Sequence, residues 1–128
     1  MTGRKKKIIL AEDNLAIVDA LTIMLEEFGY EIISIVDGNT AKDKLKEKPD
    51  LILLDIWMPG WNGKDACRYL KGNEDTRDIP VIIISADRDI AQLAKEAGAD
   101  DFIAKPFQIE DLLAKVEKYL GKNEENSS

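Results

Sequence analysis

The sequence predicts an α/β domain in which a parallel sheet is covered by helices on both faces. Three features carry that expectation: short apolar runs, amphipathic stretches between them, and the regular alternation of the two. The runs fall at residues 8–10, 32–36, 51–54, 81–84 and 102–104. Most are continuous rather than alternating, which is the pattern of strands buried on both faces.

The stretches between the runs read as helices. Residues 15–28 place Leu15, Val18, Leu21, Leu25 and Phe28 at helical spacing, with Asn14 as the N-cap and Gly29 just past the end. Residues 40–47, 64–71 and 89–97 give three more, and Gly98 suits the stop of the last. Residues 109–120 close the chain, with Ile109, Leu112, Leu113, Val116 and Leu120 on one stripe. Alternating strands and helices imply right-handed crossovers between parallel strands. Five repeats fit a flavodoxin-like doubly wound, five-stranded sheet of order 2-1-3-4-5 with five helices. Nothing marks a second domain. The expected division is a lead-in at 1–5, one domain over 6–120 and a frayed polar tail at 121–128.

Composition narrows the function. With 128 residues, 45% hydrophobic and 34% charged, the chain should fold around a single core. No apolar run approaches the roughly 20 residues of a membrane span. The basic start is followed by a short strand and an acidic pair, unlike a signal peptide. A single cysteine, Cys67, cannot form an internal disulfide; a cytoplasmic location is expected, and Cys67 reads as a small buried hydrophobe. The net charge of −7 argues against direct nucleic-acid binding. The absence of histidine excludes a Ser-His-Asp triad, a histidine metal site and histidine-based phosphotransfer within this chain.

Ligands of open α/β sheets bind beyond the carboxyl ends of the strands. There the sequence places Glu12 and Asp13 after the first strand and Asp55 at the end of the third. Any one of these could be a turn former or cap. In the proposed order the first and third strands are adjacent, so the three carboxylates converge. Such a cluster raises its own pKa values unless a cation neutralises it. An all-oxygen donor set points to a hard divalent ion, with Mg²⁺ the natural candidate and Mn²⁺ an alternative. Ser85 closes the fourth strand and Lys105 follows the fifth. Metal, lysine and hydroxyl together suit the oxygens of a phosphoryl group, and a carboxylate can accept that group as a nucleophile.

These residues make the chain resemble a response-regulator receiver domain, the phosphoacceptor module of two-component signalling. The resemblance spans about residues 6–120. Its carriers are Glu12-Asp13, the segment Asp55-Ile56-Trp57-Met58-Pro59-Gly60-Trp61-Asn62-Gly63, the pair Ser85-Ala86, and Asp101-Phe102-Ile103-Ala104-Lys105-Pro106-Phe107. It implies Asp55 as the phosphoacceptor. Asp13, Asp55 and the main-chain carbonyl of Trp57 would hold the metal, with Glu12 acting through water. Lys105 would pair with Asp55 and then with the phosphoryl oxygens, and Ser85 would bond another of those oxygens. Phe102 would be the switch aromatic, and Lys105-Pro106 a cis bond. Trp57, two residues past Asp55, lies where family side chains overhang the phosphoryl group, and Asp87 lies two past Ser85.

The resemblance further implies a sensor histidine kinase or histidine phosphotransfer protein as donor. Output would pass through the face of the fourth helix, fifth strand and fifth helix to a downstream protein. The fifth helix has no arginine, only Lys115 and Lys118 among its cations, so a monomer or weak dimer is expected. A stand-alone regulator is preferred over a receiver excised from a larger regulator or hybrid kinase. Two rivals remain. A phosphatase with an aspartate nucleophile usually needs a second aspartate where Trp57 stands. A pseudo-receiver acting without phosphorylation would usually have lost an acid, the hydroxyl residue or the lysine. No turnover of an independent substrate is expected.

Overall fold

The computed structural model describes residues 5–121. Apart from Lys5 and Gly121, the lead-in and tail expected at 1–5 and 121–128 lie outside the described residues. The main sheet is built from β1 (Lys7–Ala11), β2 (Glu31–Ile35), β3 (Leu51–Asp55), β6 (Val81–Ser85) and β7 (Asp101–Ala104). Its order is β2-β1-β3-β6-β7, with every pairing parallel. Counting sheet strands alone, this is the expected 2-1-3-4-5. The helices are α1 (Leu15–Glu27), α2 (Ala41–Leu45), α3 (Gly63–Gly72), α4 (Ile90–Ala97) and α5 (Ile109–Leu120).

Continuous apolar strands follow from a core on each side of the sheet. Successive side chains point to opposite faces. Ile8, Leu10, Leu51, Leu53, Ile82 and Ile84 pack with Val18, Leu21 and Leu25 of α1 and Leu112 and Val116 of α5. Ile9, Ala11, Ile52, Leu54, Val81 and Ile83 pack with Cys67 and Leu70 of α3 and Ile90, Ala94 and Ala97 of α4. Cys67 is fully buried as expected, and burial pushes its thiol up to about 11.

Four details differ from the sequence expectation. Leu15 is 64% exposed and Phe28 36% exposed, although both fall on the apolar stripe of the first helix. A 13-residue helix rises about 20 Å, whereas a five-residue strand spans about 16 Å, so the ends of α1 overrun the sheet. Ile109, at the first position of α5, is likewise 40% exposed. The second helix is shorter than expected: a 3₁₀ turn at Gly38–Thr40 precedes α2, and Lys48, at φ 54°, ends the segment before buried Pro49. Finally, two short strands, β4 (Trp57–Met58) and β5 (Trp61–Asn62), form an antiparallel hairpin after Asp55. Its turn is Pro59-Gly60 with Gly60 at φ 76°, the pair that a type II turn uses.

Candidate functional site

Parallel strands put all their carboxyl ends at one edge, and loops leaving that edge carry the polar residues. Glu12 and Asp13 follow β1, Asp55 ends β3, Ser85 ends β6 and Lys105 follows β7. One carboxylate oxygen from each of Glu12, Asp13 and Asp55 lies within 4.8 Å of the others. Glu12 is fully buried, Asp55 is 5% exposed and Asp13 is exposed to solvent.

Local structure holds the two buried acids in place. Glu12 Oε2 accepts from the Asn14 backbone N–H at 3.1 Å, while the Asn14 side chain caps α1 through Ala16 and Ile17. Asp55 Oδ1 accepts from the Trp57 N–H at 3.2 Å. The Trp61 indole N–H donates to the Asp55 main-chain carbonyl at 3.2 Å, tying the hairpin to the end of β3. On the far side, the Gly38 N–H donates to the Pro59 carbonyl at 3.0 Å, and a Cβ on Gly38 would collide with the Gly60 carbonyl oxygen. The Lys105-Pro106 bond is cis, as the sequence led us to expect.

Lys105 faces both buried acids, with Nζ 2.9 Å from Glu12 Oε1 and 3.4 Å from Asp55 Oδ2. The sequence expectation paired it with Asp55; the shorter contact is to Glu12. Burial pushes Asp55 up to about 6. The Trp57 N–H pulls it back, the Glu12 charge raises it further and Lys105 lowers it. Burial acting alone would lower Lys105, but its hydrogen bond to Glu12 and the nearby Asp55 and Glu12 charges leave it raised.

The pocket thus carries two buried carboxylates and a third at its rim against one ammonium. An all-oxygen donor set with surplus negative charge fits a hard divalent cation. Ser85, 2% exposed, donates through Oγ to Asp87 Oδ2 at 2.9 Å. Trp57, 59% exposed, reaches the same oxygen with its indole N–H at 2.7 Å. Phe102 is half-buried in β7, against the core face that α3 and α4 cover, with Lys115 Nζ 6.0 Å from its ring centre. The sheet therefore brings Glu12, Asp13, Asp55, Ser85 and Lys105 to one strand edge, while Phe102 lies back toward the start of β7. Sequence reasoning missed the Trp61 bond to Asp55, because nothing in residue spacing tells which way an indole N–H points.

A parallel five-stranded sheet with this acidic edge defines a receiver-type domain. The model of the response regulator receiver domain family matches residues 8–117, and the chain belongs to that family. Among curated relatives, the DNA-binding response regulator MtrA of Mycolicibacterium smegmatis is 35% identical over 128 residues, covering 98% of this chain and 55% of the relative. The chain thus spans about half the length of the curated relatives it matches. Among solved structures, the signal receiver domain of a signal transduction histidine kinase from Syntrophus aciditrophicus is 37% identical with TM-score 0.82, covering 90% of this chain and 89% of that one. The receiver domain of sensor histidine kinase PA1611 from Pseudomonas aeruginosa is 28% identical with TM-score 0.81, covering 91% of this chain and 98% of that one; it was solved with a magnesium ion coordinated in its active-site cleft. Among the described residues of the present chain, no helix is long and apolar enough to cross a membrane.

Proposed function

We propose that this receiver domain accepts a phosphoryl group on Asp55 from the phosphohistidine of a sensor kinase or histidine phosphotransfer protein. The observation that carries the reading is the placement of Asp55. It is the acid of the cluster that ends a central strand, lies 3.4 Å from Lys105 and shares the strand edge with Ser85. In the transfer, the donor's P–N bond breaks as a bond forms between phosphorus and an Asp55 carboxylate oxygen. Asp13, Asp55 and the Trp57 carbonyl would hold Mg²⁺ directly and Glu12 through water. When bound, the ion supplies charge stabilisation for the phosphoryl oxygens. Lys105 adds a second cation, and the Ser85 hydroxyl adds a hydrogen bond once it turns to the group.

An open groove of about 530 Å³ runs beside the pocket, lined by residues that include Ala16, Ile17 and Ala20 of α1, and Lys105, Pro106 and Phe107. With the exposed Ile109 also lining it, this groove offers an apolar seat for the phosphodonor protein. Output is assigned to the α4–β7–α5 face. There Lys115 and Lys118 close on Asp101 of the same chain at 2.9 and 3.6 Å, which supports a monomer or weak dimer. A pseudo-receiver gains no support, since acids, hydroxyl and lysine sit together.

The test is intact mass after incubation with Mg²⁺ and phosphoramidate. One phosphoryl group should be gained by the wild type and none by Asp55→Asn. Equal labelling of the variant would contradict the assignment.

A further inference from the structure

Ser85 commits its one proton inside the chain. Its Oγ donates to Asp87 Oδ2 at 2.9 Å and accepts from the Asp87 backbone N–H at 3.0 Å. The same Oδ2 accepts from Trp57 Nε1 at 2.7 Å. A continuous link therefore runs from the hairpin after Asp55 to the loop between β6 and α4. A hydroxyl has a single hydrogen to donate. It cannot serve Asp87 and a phosphoryl oxygen on Asp55 together.

Resting on the phosphoacceptor reading above, we propose that Asp87 is a positioning residue. It holds the Ser85 hydroxyl until a phosphoryl oxygen outcompetes it, and the Trp57 indole keeps the Asp87 carboxylate in place. Both the Asp87 carboxylate and a phosphoryl oxygen are ionised acceptors, so the strong bond that Ser85 gives up offsets part of what the new one gains. The indole N–H also leaves Asp87 with a donor after Ser85 departs, so its charge is not stranded and the exchange stays reversible. The strength of the Ser85–Asp87 bond then sets how readily the pocket reaches its activated arrangement.

The probe is beryllofluoride, a phosphoryl mimic, titrated by calorimetry at saturating Mg²⁺ into wild type, Asp87→Ala, Ser85→Ala and the double variant. Removing a negative charge near the pocket favours an anion with or without Ser85, so the single variant is not diagnostic and the cycle is. Asp87→Ala should tighten binding by roughly tenfold when Ser85 is present, the factor that 1.4 kcal/mol of relieved competition makes. In the Ser85→Ala background the gain should fall to within about twofold, the usual error of additivity. Asp87→Asn, which loses the charge but keeps a carbonyl acceptor, should gain less than Asp87→Ala. Equal gains in both backgrounds, or no gain in either, overturn the latch. A wild type that takes up no beryllofluoride overturns the phosphoacceptor reading itself, and the latch with it.

Discussion

At the scale of single residues, Asp55 holds a charge that its surroundings resist. Burial is the main reason its pKa rises to about 6. In the unfolded chain an aspartate titrates near 3.9. Between those values the folded state binds the extra proton, so stability falls as pH rises through the window and the loss is complete above the folded value. Asp55→Asn carries no charge at any pH. In metal-free buffer the variant and wild type should therefore be about equally stable near pH 4. Above pH 7 the variant should be more stable by about 1–2 kcal/mol, after discounting for solvent at the open side of the pocket. Urea denaturation of both proteins across that range in the presence of a chelator makes the comparison. A difference that does not change with pH would mean that Asp55 is not strained by its charge. Added Mg²⁺ should narrow the gap, because the aspartate form gains more from a cation than the variant, which keeps only Glu12 and Asp13 of the three acids.

At the scale of elements, the hairpin and the Gly38 loop brace the segment that follows Asp55. The Trp61 indole fixes the Asp55 carbonyl, and the Gly38 N–H fixes that of Pro59. Because a Cβ at Gly38 meets the Gly60 carbonyl, Gly38→Ala should push the hairpin outward. The cost expected from overpacking is about 1–3 kcal/mol. Weaker Mg²⁺ binding should accompany it, since the Trp57 carbonyl, proposed above as a ligand, moves with the hairpin. Denaturation midpoints and a Mg²⁺ titration check both effects; unchanged metal affinity would make the brace purely structural.

The same elements mark how far the sequence could be read. Strand order and the Asn14 cap were legible, because continuous apolar runs bounded by turn and cap residues are what doubly covered strands require. The convergence of Glu12, Asp13 and Asp55 was legible too, since neighbouring parallel strands deliver their terminal acids to one edge. The Pro59-Gly60 turn signal was present in the sequence, yet strands of two residues are too short for periodicity to register. Leu15 and Phe28 follow the helical stripe, but their exposure depends on where the sheet stops. The 2.9 Å contact of Lys105 with Glu12 was hidden for a similar reason. Spacing brings a lysine to a strand edge and does not choose among the acids waiting there.

At the scale of the whole molecule, an event at Asp55 is expected to change a surface elsewhere. Ser85 leads directly from β6 into the loop before α4. Ile90, Ala94 and Ala97 of α4 share a core cluster, on the same face of the sheet as the half-buried Phe102 of β7. A shift of Ser85 toward Asp55 therefore has a packed route to the α4–β7–α5 face. A ligand moves such an equilibrium only through a difference in its interaction with the two arrangements. On the proposed function, a phosphoryl–Ser85 hydrogen bond would supply that difference, and an inward turn of Phe102 would carry it on. The most direct measurement is an amide chemical-shift map of the Mg²⁺-loaded protein with and without beryllofluoride. Shifts are expected at Glu12, Asp13, Asp55 and Trp57, continuing through residues 86–97 to Phe102 and Lys115, and vanishing in Asp55→Asn. Shifts confined to the pocket would contradict that expectation.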